Sequence, residues 1–157
     1  MTTAAAVATD RIERSIHIAA PRSRVWRAVS SAEEFGSWFG AELKGQRFAA
    51  GEHVRGSMAG AGHPEVGFDA IVERCEPEHL IAWRWHPFAV NPKVDYSGEP
   101  RTLVTFTLAE VDGGTLVTVV ESGFDQLPPH RRTESYPRHE QGWDFQLANL
   151  QRHAGAR

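Results

Sequence analysis

The chain has one cysteine, Cys75, in 157 residues. No internal disulfide can form, and the composition fits a reducing compartment. Apolar runs are short, none approaching the ~20 residues that a membrane-spanning helix requires. Basic runs are shorter still, with nothing longer than Arg131-Arg132. With a net charge of −3 and a pI near 6.2, the chain has no electrostatic footprint for nucleic acid. Several catalytic signatures are also missing. No Gly-x-Ser-x-Gly elbow occurs, and Gly60-Ala61-Gly62 lacks the lysine and following helix of a phosphate loop. His139-Glu140-Gln141-Gly142-Trp143 begins like a zincin helix but carries Trp143 where the second histidine belongs. No His/Cys/Asp cluster has metal-ligand spacing, so neither metal nor cofactor is expected. Cys75 has no adjacent base that would make it a nucleophile.

What is present is an ordinary globular balance, 41% hydrophobic and 24% charged, at the length of one domain. Residues 1–10, rich in Ala and Thr, are expected to be a disordered tail rather than a signal peptide. A single domain is expected over 11–155, in the cytoplasm.

Near the C-terminus, Trp143, Leu147, Leu150 and Ala154 recur at steps of four, three and four. That spacing predicts a helix over Pro137–His153, ~25 Å long, with Pro137 in its first turn and Gly155 as its stop. Upstream, Arg11–Ala19 alternates as a strand with Ile12, Arg14, Ile16 and Ile18 on one face. Two short helices follow, Arg22–Ser30 and Ala32–Phe39, the second capped by Ser31 and assisted by Glu33 and Glu34. Glycine-rich 40–64 should hold short strands at Ala41–Leu43 and His53–Met58. A hairpin is expected over Val66–Glu76 and His79–His86, and a second over Arg101–Glu110 and Thr115–Ser122 around Asp112-Gly113-Gly114. Three prolines make 87–100 a loop, and 123–134 reads as a bridge to the last helix. The predicted class is α+β: a curved antiparallel sheet of about six to seven strands, two short helices and one long C-terminal helix covering a cavity.

In order and spacing, the chain resembles the helix-grip fold of the START-like (SRPBCC) superfamily. Within it, the chain looks like the subgroup related to the activator of heat-shock protein 90 ATPase. The residues carrying this resemblance begin with Ile18-Ala19-Ala20-Pro21, Val25-Trp26 and Trp38-Phe39. They continue through Glu76-Pro77 before Leu80, Trp83-Arg84-Trp85 and Thr105-Phe106-Thr107-Leu108. Gly114-Thr115, Glu121-Ser122-Gly123-Phe124 and Gly142-Trp143 complete the set. The resemblance implies a hydrophobic cavity between sheet and long helix that holds a small apolar or aromatic ligand. Superfamily members range from lipid carriers and antibiotic-sequestering proteins to polyketide cyclases and co-chaperones, so the fold alone does not choose among them.

Candidate ligand-binding residues are Trp38, Phe68, Trp83, Trp85, Phe106, Glu121, Trp143 and Leu147. Taken singly each aromatic member reads first as a core residue, while as a set they suit a cavity for a flat ligand. Glu121 shares an inward face with Val117 and Val119 and is either a strand-end group reaching water or a polar handle of the pocket, where burial would raise its pKa. Arg84, His86 and Asp69 are expected on the opposite, solvated side of their strands. The cavity should measure ~300 Å³ or more, with Trp83 or Trp85, Phe106 and Trp143 in its walls. Binding without chemistry is the favoured reading. The alternatives are a cyclase, dehydratase or hydrolase using Glu121 as acid–base, and a protein-interaction module. An enzyme would need a second polar group converging on the cavity. The expected partner is a small hydrophobic molecule, with no nucleic acid or membrane, and a homodimer is admitted.

Overall fold

The computed structural model describes residues 10–155. The expected N-terminal tail, apart from Asp10, lies outside the described residues. Asp10 itself accepts backbone hydrogen bonds from Gly123, Phe124 and Asp125.

In chain order the elements are β1 (Arg11–Ile18), α1 (Arg22–Ser30), α2 (Ala32–Phe39), β2 (His53–Met58), β3 (His63–Glu76), β4 (Leu80–Trp85), β5 (Thr102–Val111), β6 (Gly114–Ser122) and α3 (Pro129–Ala154). The six strands form one antiparallel sheet in the order β1-β6-β5-β4-β3-β2. The α+β class expected from the sequence is the one observed. β1 and β2 are opposite edges of the sheet, so α1, α2 and the segment up to residue 52 carry the chain from one edge to the other. Among the described residues, no helix is long and apolar enough to cross a membrane.

Local chemistry fixes the short helices. Ser31 accepts a hydrogen bond from the Glu34 amide at 3.3 Å and so caps α2. Gly40 ends it in the left-handed region at φ 93°, where a side chain would also strike Ala61. The α2 aromatic residues then reach the sheet. Phe35 packs against Trp38, Phe39, Phe48, Phe68 and Trp83. Trp83 is sandwiched between Phe48 at 5.7 Å and Phe106 at 5.4 Å. This aromatic block fills the middle of the space under the sheet.

Two expectations need correction. Ala41–Leu43 makes a single bridge, Glu42 to Ser57, and not a strand. More consequentially, α3 begins at Pro129 rather than Pro137. Pro128 is the extended N-cap and Pro129 the first helical residue, where a missing N–H costs nothing. The helix therefore spans roughly 39 Å at 1.5 Å per residue. Pro137 lies inside it and is tolerated because it and Thr133, whose carbonyl it leaves without a donor, both face solvent. The added turns bury Arg131 and Ser135, so no apolar stripe marks them. At its other end α3 is tied to α1 and α2 through Glu34, which pairs with Arg24 at 2.8 Å, Arg27 at 2.9 Å and His153 at 2.9 Å. Partial burial raises the Glu34 carboxyl, but the bonds from His153, Arg24 and Arg27 outweigh this and hold it down at about 2.

Candidate functional site

The site is built around one carboxylate. Along β6 the inward residues Thr115, Val117, Val119 and Glu121 are all fully buried. Pairing sets Glu121 between Ile12 of β1 and Val104 of β5, an apolar row with no partner for a charge. Its partners come from elsewhere. Oε2 accepts from Trp85 Nε1 at 2.8 Å and from Thr102 Oγ1 at 2.6 Å. Oε1 accepts from His139 Nδ1 at 2.6 Å and from Trp143 Nε1 at 2.8 Å. The carboxylate is thus met by donors from β4, β5 and α3. Burial pushes its pKa up, but the charge of His139 and the bonds from His139, Thr102 and Trp85 outweigh this and hold it below the ordinary value. The sequence expectation of a raised pKa is therefore reversed: burial was considered there without these donors.

Two cavities border this cluster. The larger, about 450 Å³, opens where the β4–β5 loop folds over the end of the sheet. Its apolar walls include Phe39, Phe68, Trp85, Phe88 and Tyr96, and its polar lining includes Asp69, His86, Arg101, His139 and Gln146. The smaller, about 130 Å³, lies against α3 between Phe39, Trp85, His139, Gly142, Trp143, Phe145 and Gln146. Phe39, Trp85, His139 and Gln146 are common to both.

Of the residues singled out from sequence, Trp85 and Phe68 line the larger cavity, and Trp85 and Trp143 the smaller. Glu121 lies beneath Trp85, His139 and Trp143, holding all three. Trp38, Trp83, Phe106 and Leu147 border neither cavity. They are buried in the core, with Trp38 Nε1 donating to the Ala28 carbonyl at 2.9 Å. Arg84 is exposed and paired with Glu73. His86 and Asp69 differ from the solvated setting expected for them: both are half-buried and border the larger cavity. His86 Nε2 donates to the Glu99 carbonyl at 3.1 Å, while burial and Arg101 push its pKa down. Asp69 pairs with His53 at 2.7 Å and Arg101 at 3.0 Å. Burial pushes the Cys75 thiol up, the opposite of what a nucleophilic thiolate needs. Among the described residues no group of His, Cys, Asp or Glu could hold a metal ion.

Sequence reasoning missed Phe39, Thr102, His139, Gln146 and the loop. His139 left one signal: it sits four residues before Trp143, hence on the same helical face.

The loop is held by a buried cation. Arg131 donates from Nε to Glu99 at 2.8 Å and from Nη2 to the Pro87 carbonyl at 2.6 Å, and its guanidinium lies 4.6 Å from the Tyr96 ring centre. Its Nη1 also pairs with Glu134 at 2.9 Å. Arg131→Met is expected to cost about 2–3 kcal/mol, below the range for a fully buried pair because Glu99 and Glu134 reach solvent. Urea unfolding gives the cost, and limited proteolysis should show faster cleavage within 88–98. Unchanged cleavage would mean the clamp does not order the loop.

The model of a family described as "Activator of Hsp90 ATPase homolog 1-like protein" matches residues 19–155. Among solved structures, protein MLL2253 from Mesorhizobium loti has a TM-score of 0.69 at 23% identity, covering 91% of this chain and 95% of its own. Protein CV1439 from Chromobacterium violaceum has a TM-score of 0.67 at 20% identity, covering 94% of this chain and 99% of its own. The Aha1 dimer from Colwellia psychrerythraea, a solution structure, has a TM-score of 0.66 at 17% identity, covering 92% of this chain and 95% of its own. At these identities the likeness shows the fold alone. No curated protein matches the chain.

Proposed function

The chain belongs to the activator of Hsp90 ATPase homolog 1-like family, and on that premise we propose that it binds a small hydrophobic or aromatic molecule between the sheet and α3. Family and fold support a ligand-binding or helper role in general terms. The observation that carries the finer reading is the cavity of about 450 Å³ walled by aromatic rings, a volume within the usual range for small-molecule sites. Phe39 comes from α2, Phe68 from β3, Trp85 from β4, and Phe88 and Tyr96 from the loop. A few polar groups set among apolar walls are what fix a ligand's orientation in such sites. The reading extends to one ligand-binding domain over 11–155, acting in the cytoplasm without a cofactor. The dimeric state of the Colwellia protein is the reason to measure self-association beside it.

The test fills the cavity. Ala89 lines it from the loop, and Ala89→Trp should place an indole in the space. Anilinonaphthalenesulfonate, an apolar fluorescent dye, is expected to bind the parent protein and to lose roughly tenfold or more in affinity in the variant, about 1.4 kcal/mol. Equal dye affinity in both proteins would remove this cavity as the ligand seat.

A further inference from the structure

The smaller cavity is bordered by a glycine that nothing in the packing requires. Gly142 is in the interior of α3, where glycine is the least favourable residue after proline. It has no left-handed φ, and a Cβ added there would meet nothing within 4 Å. Neither backbone geometry nor the close approach of another element therefore explains it. What the missing side chain does is leave room in the cavity of about 130 Å³ that Gly142 lines. On helical spacing His139, Gly142 and Gln146 share a face, and His139 and Gln146 line the larger cavity as well. With Phe39 and Trp85, those two make four side chains common to both spaces, which thus lie one side chain apart. Phe39, Trp85 and Trp143 bring three rings to the smaller space, their centres 6.0–6.3 Å from one another. Phe145, also in its lining, is 63% exposed, the most of any large hydrophobic side chain among the described residues. It has no aromatic partner among those residues.

From this geometry we infer that the ligand is bipartite: an apolar body in the larger cavity and, on a short tether, a single aromatic ring in the smaller. The inference rests on the cavity reading above and specifies its ligand class. Volume sets the ring count. A dry apolar cavity of roughly 150 Å³ holds one benzene, so about 130 Å³ takes one ring and no fused pair. The walls select an aromatic ring over a saturated one. Ring pairs with centres about 4.5–7 Å apart attract beyond their buried area, offset or edge-on, and three rings stand ready to make such pairs. A bound ring also takes Phe145 out of water, which no residue of the described protein does. Gly142 determines the specificity, because a side chain there would occupy the ring's seat. The tether has to clear the four shared side chains. Anilinonaphthalenesulfonate, with one atom between its rings, has no such tether and reports the larger cavity alone.

The experiment uses three dansylamides, which fluoresce brightly in apolar surroundings and differ only on the amide nitrogen: N-methyl, N-benzyl and N-cyclohexylmethyl. In the parent protein N-benzyl is expected to bind roughly tenfold or more tighter than N-methyl, about 1.4 kcal/mol. N-cyclohexylmethyl, more apolar but not flat, should gain no more than about threefold. In Gly142→Leu, with circular dichroism confirming its fold, the benzyl-to-methyl ratio should also fall to about threefold or less. In Ala89→Trp, which fills the larger cavity, all three compounds should weaken. Equal affinity for benzyl and methyl, a ratio that survives in Gly142→Leu, or cyclohexylmethyl binding as tightly as benzyl overturns the inference and leaves the cavity reading standing. Benzyl affinity undiminished in Ala89→Trp overturns both, since the ligand would then occupy the smaller cavity alone. Failure of all three to bind the parent also overturns both. Should Gly142→Leu not fold, Gly142→Ala replaces it, its added methyl meeting nothing within 4 Å. The ratio should then fall roughly twofold or more, and an unchanged ratio overturns the inference.

Discussion

Replacing Glu121 with alanine is expected to cost about 3–5 kcal/mol, the range for removing one partner of a buried, hydrogen-bonded charge pair. The change removes the acceptor for Trp85, Thr102, His139 and Trp143 together. A single buried donor left without a partner already costs about 1–3 kcal/mol. Water entering from the adjoining cavity can satisfy some of these donors, which keeps the total below their sum. Glu121→Gln should cost less than alanine, because its remaining oxygen still accepts while its amide nitrogen confronts two donors. The substitution also has a pH signature. A carboxyl whose native pKa lies below its ordinary 4.5 stabilises the fold fully above that value. The contribution is lost as pH falls below it, through the native value. Glu121→Gln should therefore flatten part of the loss of stability on acidification. Urea midpoints measured for each protein across an acid series test both statements. A Glu121→Ala protein within about 1 kcal/mol of the parent, the size of an average substitution, would mean that the four donors find other partners at little cost.

The elements that the sequence revealed are those whose inward residues are apolar. β2 and the two short helices have the expected bounds because Val25 and Val29, then Phe35 and Phe39, mark their buried faces. The first turns of α3 were invisible for the converse reason: they turn Arg131 and Ser135 inward, and polar residues leave no hydrophobic period. The inward face of Glu121 was readable by alternation with Val117 and Val119. Its electrostatics were not, since Trp85, Thr102, His139 and Trp143 reach it from distant positions in the chain. The tryptophans divide along the same line. Alternation puts Trp83 and Trp85 on one face, but where α2 crosses the sheet decides which is packed between Phe48 and Phe106 and which is left beside a cavity. That crossing is a tertiary fact with no local signature.

Trp143 lies where packing and site meet, and Trp143→Ala is expected to cost about 3–5 kcal/mol, the range for truncating a packed aromatic residue. The indole is only 3% exposed. It stacks on Trp85 at 6.0 Å and meets Phe106 edge-on at 5.7 Å and Phe39 at 6.3 Å. It also donates to Glu121, so alanine both opens a void and leaves one carboxylate lone pair unmet. Trp143→Phe separates these terms: it keeps most of the ring and loses the donor, and should cost about 1–2 kcal/mol, the scale of a hydrogen bond to a charged group. Because Trp143 borders the smaller cavity and not the larger, anilinonaphthalenesulfonate affinity for the folded variant should stay within about threefold of the parent, under 0.7 kcal/mol. Urea unfolding and dye titration of the same preparations read the two quantities independently. A large fall in dye affinity at full stability would move the ligand seat into the smaller cavity against α3. Small changes in both would mean that the apolar stripe of α3 is not what fastens the helix to the sheet.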